Sequence, residues 1–226
     1  MPKCIFITGT DTNVGKTVIT ACIASALLRL GKKVAVYKPV QCGNLMDGAI
    51  KSPDLALVKE LSKITNDSLA NDYCFSIPAS PHLAAEHDKA GIDIGIIKSH
   101  NRQLLKNNDF VLIEGAGGLI VPLTRRYTVL NLVHELYVPV LIVARAGLGT
   151  INHTSLTIKA LKSFEIPIMG VVFNFYKGGI IEDDNRKIVQ SLNNVQVLGT
   201  VPYSANLLHL ADNSERYIDI ERIKQD

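Results

Sequence analysis

The sequence predicts a single α/β domain built on an open, mostly parallel sheet with helices on both faces. Short apolar runs, nearly continuous in Val, Ile, Leu and Phe, alternate with longer stretches of helical periodicity. A strand covered on both faces has no solvent side, so its residues need not alternate. Strand and helix in regular succession then call for right-handed crossovers and a parallel sheet. No Pro/Ser-rich linker, low-complexity segment or internal repeat divides the 226 residues. Residues 1–226 are therefore expected to form one domain.

Lys3–Thr8 reads as the first strand, and Lys16–Leu30 as the helix after it, closed by a C-terminal Gly31. Lys33–Tyr37 is the second strand. Gly43 to Lys51, with Gly43-Asn44-Leu45-Met46-Asp47-Gly48, reads as a flexible loop. Helices are expected over Pro53–Ile64 and Ile94–Lys106, followed by a strand at Phe110–Ile113. Val138–Ala144 and Ile168–Asn174 are strands with Pro139 and Pro167 near their starts, where a missing N–H costs little. Thr150–Phe164 and Ile181–Leu192 complete the helices, and Val195–Val201 is the last strand.

Composition narrows the partners. With 24 Lys+Arg against 21 Asp+Glu the formal charge is +3, so no broad basic surface invites nucleic acid. No run approaches the roughly 20 apolar residues that span a bilayer, and the start lacks a signal-peptide pattern. Cys4, Cys22, Cys42 and Cys74 form no Cys-x-x-Cys pair, which argues against a disulfide framework or a zinc site. A cytoplasmic protein without a membrane or nucleic-acid partner is expected.

After the first strand comes Gly9-Thr10-Asp11-Thr12-Asn13-Val14-Gly15-Lys16-Thr17, which opens a helix. Gly15-Lys16-Thr17 is the end of a phosphate-binding P-loop. A glycine lets backbone N–H groups close on phosphate oxygens, a lysine meets the β- and γ-phosphates, and a hydroxyl reaches Mg²⁺. The helix adds the positive end of its dipole. Asn13, Val14, Gly15, Lys16, Thr17 and Val18 are the residues expected around the nucleotide. One extra residue separates Gly9 from Gly15 relative to the usual spacing. The fold is thus P-loop NTPase-like, and the chain is expected to bind a nucleoside triphosphate.

Four further segments bear on the reaction. Tyr37-Lys38-Pro39-Val40-Gln41-Cys42-Gly43 puts Lys38 at a carboxyl end of the sheet, the edge where such sheets bind ligands. Asp54 in Ser52-Pro53-Asp54 is either an ordinary first-turn acid or a metal ligand. Glu114-Gly115-Ala116-Gly117-Gly118 follows an apolar strand, so Glu114 is placed to hold Mg²⁺ beside the phosphate loop. Gly147-Leu148-Gly149-Thr150-Ile151-Asn152-His153 opens a helix and is a candidate anion site.

Together these segments resemble the dethiobiotin synthetase family over nearly the whole chain, including the unusual phosphate-loop spacing. The resemblance implies an ATP-dependent ligase of biotin biosynthesis that carboxylates 7,8-diaminononanoate with CO₂ and closes the ureido ring. The route it implies passes through a carbamate and a carbamic-phosphoric anhydride. By the same resemblance Lys16 and Lys38 serve the carbamate and γ-phosphate, and Thr12 lies near the reacting amine. Thr17, Asp54 and Glu114 match Mg²⁺ ligands, with Gly115, Ala116 and Gly117 beside them. Asn174 and Phe175 match the adenine-reading segment, and Pro202, Tyr203 and Ser204 the loop over the base. Gly149, Thr150, Ile151 and Asn152 match the receiver of the distal substrate carboxylate, given by the partner subunit of a homodimer. Cys42 matches a substrate-binding position but departs from the family's usual Ser or Thr, so a weak thiol contact there replaces a hydroxyl one. Asn13 stands where a relative carries Glu, and the tail from Ala205 to His209 also deviates.

Two other classes share parts of this pattern. A nucleotide-switched partition ATPase shares fold and loop but carries an early loop lysine, where this chain has Thr10, Asp11 and Thr12. An ATP-dependent amidoligase would need a glutaminase segment. His82 suits either a substrate channel or a helix start, and the remaining histidines share no metal spacing.

Overall fold

The structure, a computed structural model, describes residues 3–43, 45–48 and 51–225. The first half of the chain runs β1 (Lys3–Gly9), α1 (Lys16–Arg29), β2 (Val34–Tyr37), β3 (Val40–Cys42), α2 (Pro53–Ser62), β4 (Leu69–Ala70), β5 (Tyr73–Phe75), α3 (Pro81–His87) and α4 (Ile94–Asn107). Then come β6 (Phe110–Glu114), β7 (Pro122–Thr124), β8 (Tyr127–Thr128), α5 (Val129–Leu136) and β9 (Val140–Arg145). The chain closes with α6 (Thr150–Ser163), β10 (Ile168–Tyr176), α7 (Ile180–Asn193), β11 (Val197–Pro202), α8 (Leu207–Asp212) and α9 (Ile220–Gln225).

Seven strands form one sheet in the order β11-β10-β9-β1-β6-β2-β4, every neighbouring pair parallel. The chain winds outward from β1 to β2 and β4, returns to β6, then crosses to β9 on the other side of β1. The strand order reverses at β1, so the crevice of such a sheet opens at the carboxyl end of this strand. Its loop is the Gly9–Thr17 segment.

Two cores follow from strand geometry, because successive side chains point to opposite faces. Ile5, Ile7, Val36 and Leu112 pack against the apolar sides of α1 and α2, with Ile19, Ile23, Leu55 and Val58. Phe6, Tyr37, Ile113 and Phe173 face the other way, onto Ile97 of α4, Val133 of α5 and Ile158 of α6. Each fully buried aliphatic chain contributes about 1.5–3 kcal/mol by leaving water. The helix over residues 16–29 is buried almost all round, which is why its apolar residues show no single stripe. Gly31, at φ +72°, ends it: the Gly31 N–H bonds Leu28 O at 2.9 Å and the Lys32 N–H bonds Leu27 O at 3.1 Å. That pair of bonds is a Schellman ending, as the sequence led one to expect.

The six expected strands and five expected helices are all present, with shifted ends. Glu114, expected just beyond its strand, is the last residue of β6, and β10 runs two residues past Asn174, where its strand was expected to end. Of the loop expected from Gly43 to Lys51, Asn44, Ala49 and Ile50 lie outside the described residues, as do Met1 and Pro2. Among the described residues no helix is long and apolar enough to cross a membrane.

Candidate active site

Every segment singled out in the sequence comes to the carboxyl edge of the sheet. β1 delivers the phosphate loop, β2 delivers Lys38, β6 delivers Glu114, and β9, β10 and β11 deliver Gly149–Asn152, Asn174–Phe175 and Pro202–Ser204.

The phosphate loop is shaped by local backbone chemistry. Asn13 sits at φ +56°, a conformation Asn tolerates better than most residues, and its carbonyl accepts from Arg145 Nη2 at 3.3 Å. Gly15 stands at φ +91°, and a Cβ there would lie 2.0 Å from Asn174 Nδ2. Only glycine fits. That amide nitrogen in turn donates to Val14 O at 3.0 Å, so Asn174, 2% exposed, props the loop from below. Gly15 also begins α1, with no side-chain cap and no acid in the first turn. The helices α2, α4 and α5 are capped by Ser52, Asp93 and Thr128, whereas the N–H groups of α1 are left to an outside acceptor. Val18 is the next half-buried residue of α1, against the α1–α2 core.

Two lysines meet two carboxylates behind this loop. Lys38 Nζ lies 2.6 Å from Asp54 Oδ2 and 2.8 Å from Glu114 Oε1, and reaches Gly115 O at 3.3 Å. Thr17 Oγ1 donates to the same Glu114 oxygen at 2.9 Å. Asp54 is held there because Ser52 caps α2 through Leu55 N and bonds Gln41 Oε1, tying the helix start to β3. Lys16 Nζ bonds Asp11 O at 3.2 Å. Both lysines are buried, and their charges respond differently. Burial pushes Lys16 down to about 8, the charge of Lys38 adds to this, and nearby carboxylates only partly offset it. Burial alone would lower Lys38 as well, but Glu114 and Asp54 outweigh it and hold that ammonium above the usual lysine range.

The residues present fit a magnesium ion. Thr17, Asp54 and Glu114 offer a hydroxyl and two carboxylates around one point, and Glu114 Oε2 is buried without a hydrogen-bond partner. No group of three or more His, Cys, Asp or Glu gathers closely enough, among the described residues, to cage a metal alone. That suits Mg²⁺, which is usually held by one or two carboxylates together with phosphate oxygens and water.

Further along the edge, Thr12 is exposed, its N–H and hydroxyl turned onto Asp11 Oδ1 at 2.7 and 3.2 Å. Gly149, at φ +88°, starts α6 without a side-chain cap; Thr150 is buried against Thr154, Ile151 half-buried and Asn152 exposed. Gly115, Ala116 and Gly117 form the turn after Glu114. On the β10–β11 side, Phe175 holds a left-handed φ of +59° where the strand register shifts, a strained conformation of the kind kept at ligand sites. Its ring lies 6.3 Å from that of Tyr203, and Lys177 Nζ stands 5.5 Å over the Tyr203 ring. Pro202 ends β11, and Ser204 Oγ accepts from Asn206 N at 3.0 Å. The deviating tail thus folds into α8, capped by Asn206. Cys42, the other departure, is half-buried against the core on the α3 side, and burial pushes its thiol up to about 11. His82 is in the first turn of α3, with Nδ1 3.0 Å from Ser80 Oγ.

Two residues at this edge were not foreseen. Arg145 is a charge ending an otherwise apolar strand, and that interruption was the available signal. Asn71, which bonds the Lys38 carbonyl at 2.6 Å, carried none, because its role comes from a tertiary contact.

A parallel sheet, a glycine-opened phosphate loop and a strand-end carboxylate beside it define a P-loop nucleotide-binding protein. Among solved structures the fold is similar to the septum site-determining protein MinD of Pyrococcus horikoshii, which was solved with Mg-ADP. That match has a TM-score of 0.61 at 17% identity, covering 100% of this chain and 90% of that one. A ParA family ATPase from Chlorobium tepidum gives 0.60 at 16%, covering 98% and 92%. These likenesses concern the fold. By sequence, the profile of a family described as an AAA domain matches residues 3–209. An ATP-dependent dethiobiotin synthetase BioD of Anoxybacillus flavithermus is 39% identical over 211 residues, 92% of this chain and 95% of that protein. The counterpart in Halalkalibacterium halodurans is 41% identical over 219 residues, 95% and 90% of the two chains. The one in Nitrosopumilus maritimus is 34% identical over 225 residues, 98% and 99%. The chain belongs to the ATP-dependent dethiobiotin synthetase family.

Proposed function

We propose that this chain uses ATP and Mg²⁺ to carboxylate 7,8-diaminononanoate with CO₂ and close the ureido ring of dethiobiotin. The observation that carries the reading is the meeting of Lys38 with Asp54, Glu114 and Thr17 beside a phosphate loop. A phosphate loop alone would serve any nucleotide enzyme. A second buried lysine at the γ-phosphate end provides for a second anion, and a carbamate is one.

In the proposed course, one amine adds to CO₂ and becomes a carbamate, with Thr12 near that amine. Lys16 and Lys38 draw carbamate and γ-phosphate together, two anions that otherwise repel. A carbamate oxygen attacks the γ-phosphorus and ADP departs. The neighbouring amine attacks the carbon of the resulting anhydride, and phosphate leaves as the ring closes. Thr17, Asp54 and Glu114 would hold Mg²⁺, which supplies charge neutralisation at the phosphates. Lys16 is still mostly protonated at neutral pH despite burial, as its role requires. Asn174, Phe175, Pro202, Tyr203 and Ser204 are assigned to the adenine.

We assign Gly149 to Asn152 to the distal carboxylate of the diamine bound in the partner subunit of a homodimer. The uncapped start of α6 and the exposure of Leu148 (86%) and Asn152 support this. We take residues 1–226 as one ATP-binding domain, since both cores share one sheet. ATP use and four free cysteines support a cytoplasmic setting.

Phosphate release from ATP, Mg²⁺ and bicarbonate, with and without diaminononanoate, tests the reading. Release that depends on the diamine, with dethiobiotin found by mass, is expected. Diamine-independent hydrolysis at the same rate would instead mark a nucleotide switch.

A further inference from the structure

Lys38 occupies the point where its strand stops being a strand. β2 ends at Tyr37, Pro39 lacks an N–H, and the chain resumes as β3, which pairs with β5 outside the main sheet. The outer neighbour β4 ends at Ala70, so ladder pairing has run out beside the Lys38 carbonyl.

Residues 70–73 take over. Lys38 N–H donates to Ala70 O at 2.9 Å, and Asn71 Nδ2 donates to Lys38 O at 2.6 Å. The Pro39 carbonyl accepts from the N–H groups of Asp72 and Tyr73, at 3.3 and 3.0 Å. Tyr37 Oη donates to the Asp72 carboxylate, whose other oxygen lies 2.6 Å from His100 Nδ1 on α4. The Asn71 amide is itself oriented: its nitrogen also reaches Tyr73 O at 3.3 Å, and its oxygen accepts from the Cys74 thiol. An amide so held has one way round, with N–H toward Lys38 O.

We infer that Asn71 is a positioning residue for Lys38, supplying by its side chain the main-chain bond that strand pairing no longer gives. It touches no reacting group. A lysine side chain has four rotatable bonds and sets its ammonium accurately only if its Cα is fixed; Asn71 and Ala70 fix it from either side. The inference rests on the reading of Lys38 as the cation at carbamate and γ-phosphate.

The test is a double-mutant cycle in the full chain, using Asn71→Ala, Lys38→Ala and the pair, with thermal melting beside steady-state kinetics. Asn71→Ala is expected to lower kcat about 10- to 100-fold, the usual effect of misplacing a catalytic group by about an ångström, with KM for ATP within about 2-fold. In the Lys38→Ala background the same change should cost less than about 2-fold, because its target is gone. Asn71→Asp keeps the shape but has no N–H to give; it should be as slow as Asn71→Ala, and it carries the test if the alanine variant does not fold. Equal losses in both backgrounds, or wild-type kcat in Asn71→Asp, would overturn the role of Asn71. Wild-type kcat in Lys38→Ala would overturn the reading of Lys38 instead.

Discussion

Lys38 directly follows β2 and Glu114 ends the neighbouring parallel strand β6, and the register that sets Tyr37 beside Ile113 brings the ammonium within 2.8 Å of the carboxylate. Their side chains are 5% and 1% exposed, and Asp54, about a third exposed, completes the cluster. One cation thus balances the two acids proposed as Mg²⁺ ligands. Lys38→Met should cost stability toward the low end of the ~3–5 kcal/mol seen when buried pairs are broken, since water reaches Asp54. Mg²⁺ should then stabilise the variant more than the wild type, no ammonium competing for the oxygens. Thermal melts with and without MgCl₂ measure this; equal shifts would show that Lys38 does not guard the metal ligands.

Gly15→Ala forces a Cβ to within 2.0 Å of Asn174 Nδ2 at a φ of +91°. The expected cost is about 1–3 kcal/mol in stability from backbone strain, together with a large loss of ATP affinity as the loop shifts. Calorimetric titration with ATP checks it. Unchanged affinity would mean that the loop does not grip phosphate.

The proposed subunit sharing is open to complementation. Lys16→Ala and Asn152→Ala chains are each expected to be inactive as homodimers. In a mixed dimer one site carries both defects and the other neither, so mixing should recover activity above either parent. Samples shown to exchange subunits yet remaining inactive would place the carboxylate site within one chain.

Cys42 should label slowly. Its thiol, pushed up to about 11 by burial, holds little thiolate at pH 7.5, and alkylation should quicken about tenfold per pH unit until that value. Peptide mass analysis of iodoacetamide-treated protein follows the one residue. Rapid neutral labelling that diaminononanoate blocks would put the sulfur in the substrate's path rather than against the core.

Much of this was legible in the residues. Strands such as β6 announce themselves by an unbroken apolar run, here Phe110–Ile113, and Gly15-Lys16-Thr17 declares its chemistry by order alone. β4 is two residues long and β3 and β5 three each, too short for any periodicity to register. α5 was readable yet missed: Thr128 and Asn131 form a capping box across the start of Val129–Leu136. Asn174 shows a different limit. The family resemblance marks it for the base, while its bond to Val14 O appears only once β10 is laid beside the loop.

That bond has a bearing on how nucleotide choice could change. The residue assigned to the adenine is also the strut under the loop assigned to the phosphates, so discrimination and grip are not separable at Asn174. A lineage or an engineer seeking another base would weaken the hold on every triphosphate by altering it. Drift in base preference has more room at the exposed rim, where Tyr203 and Lys177 bear no such double duty.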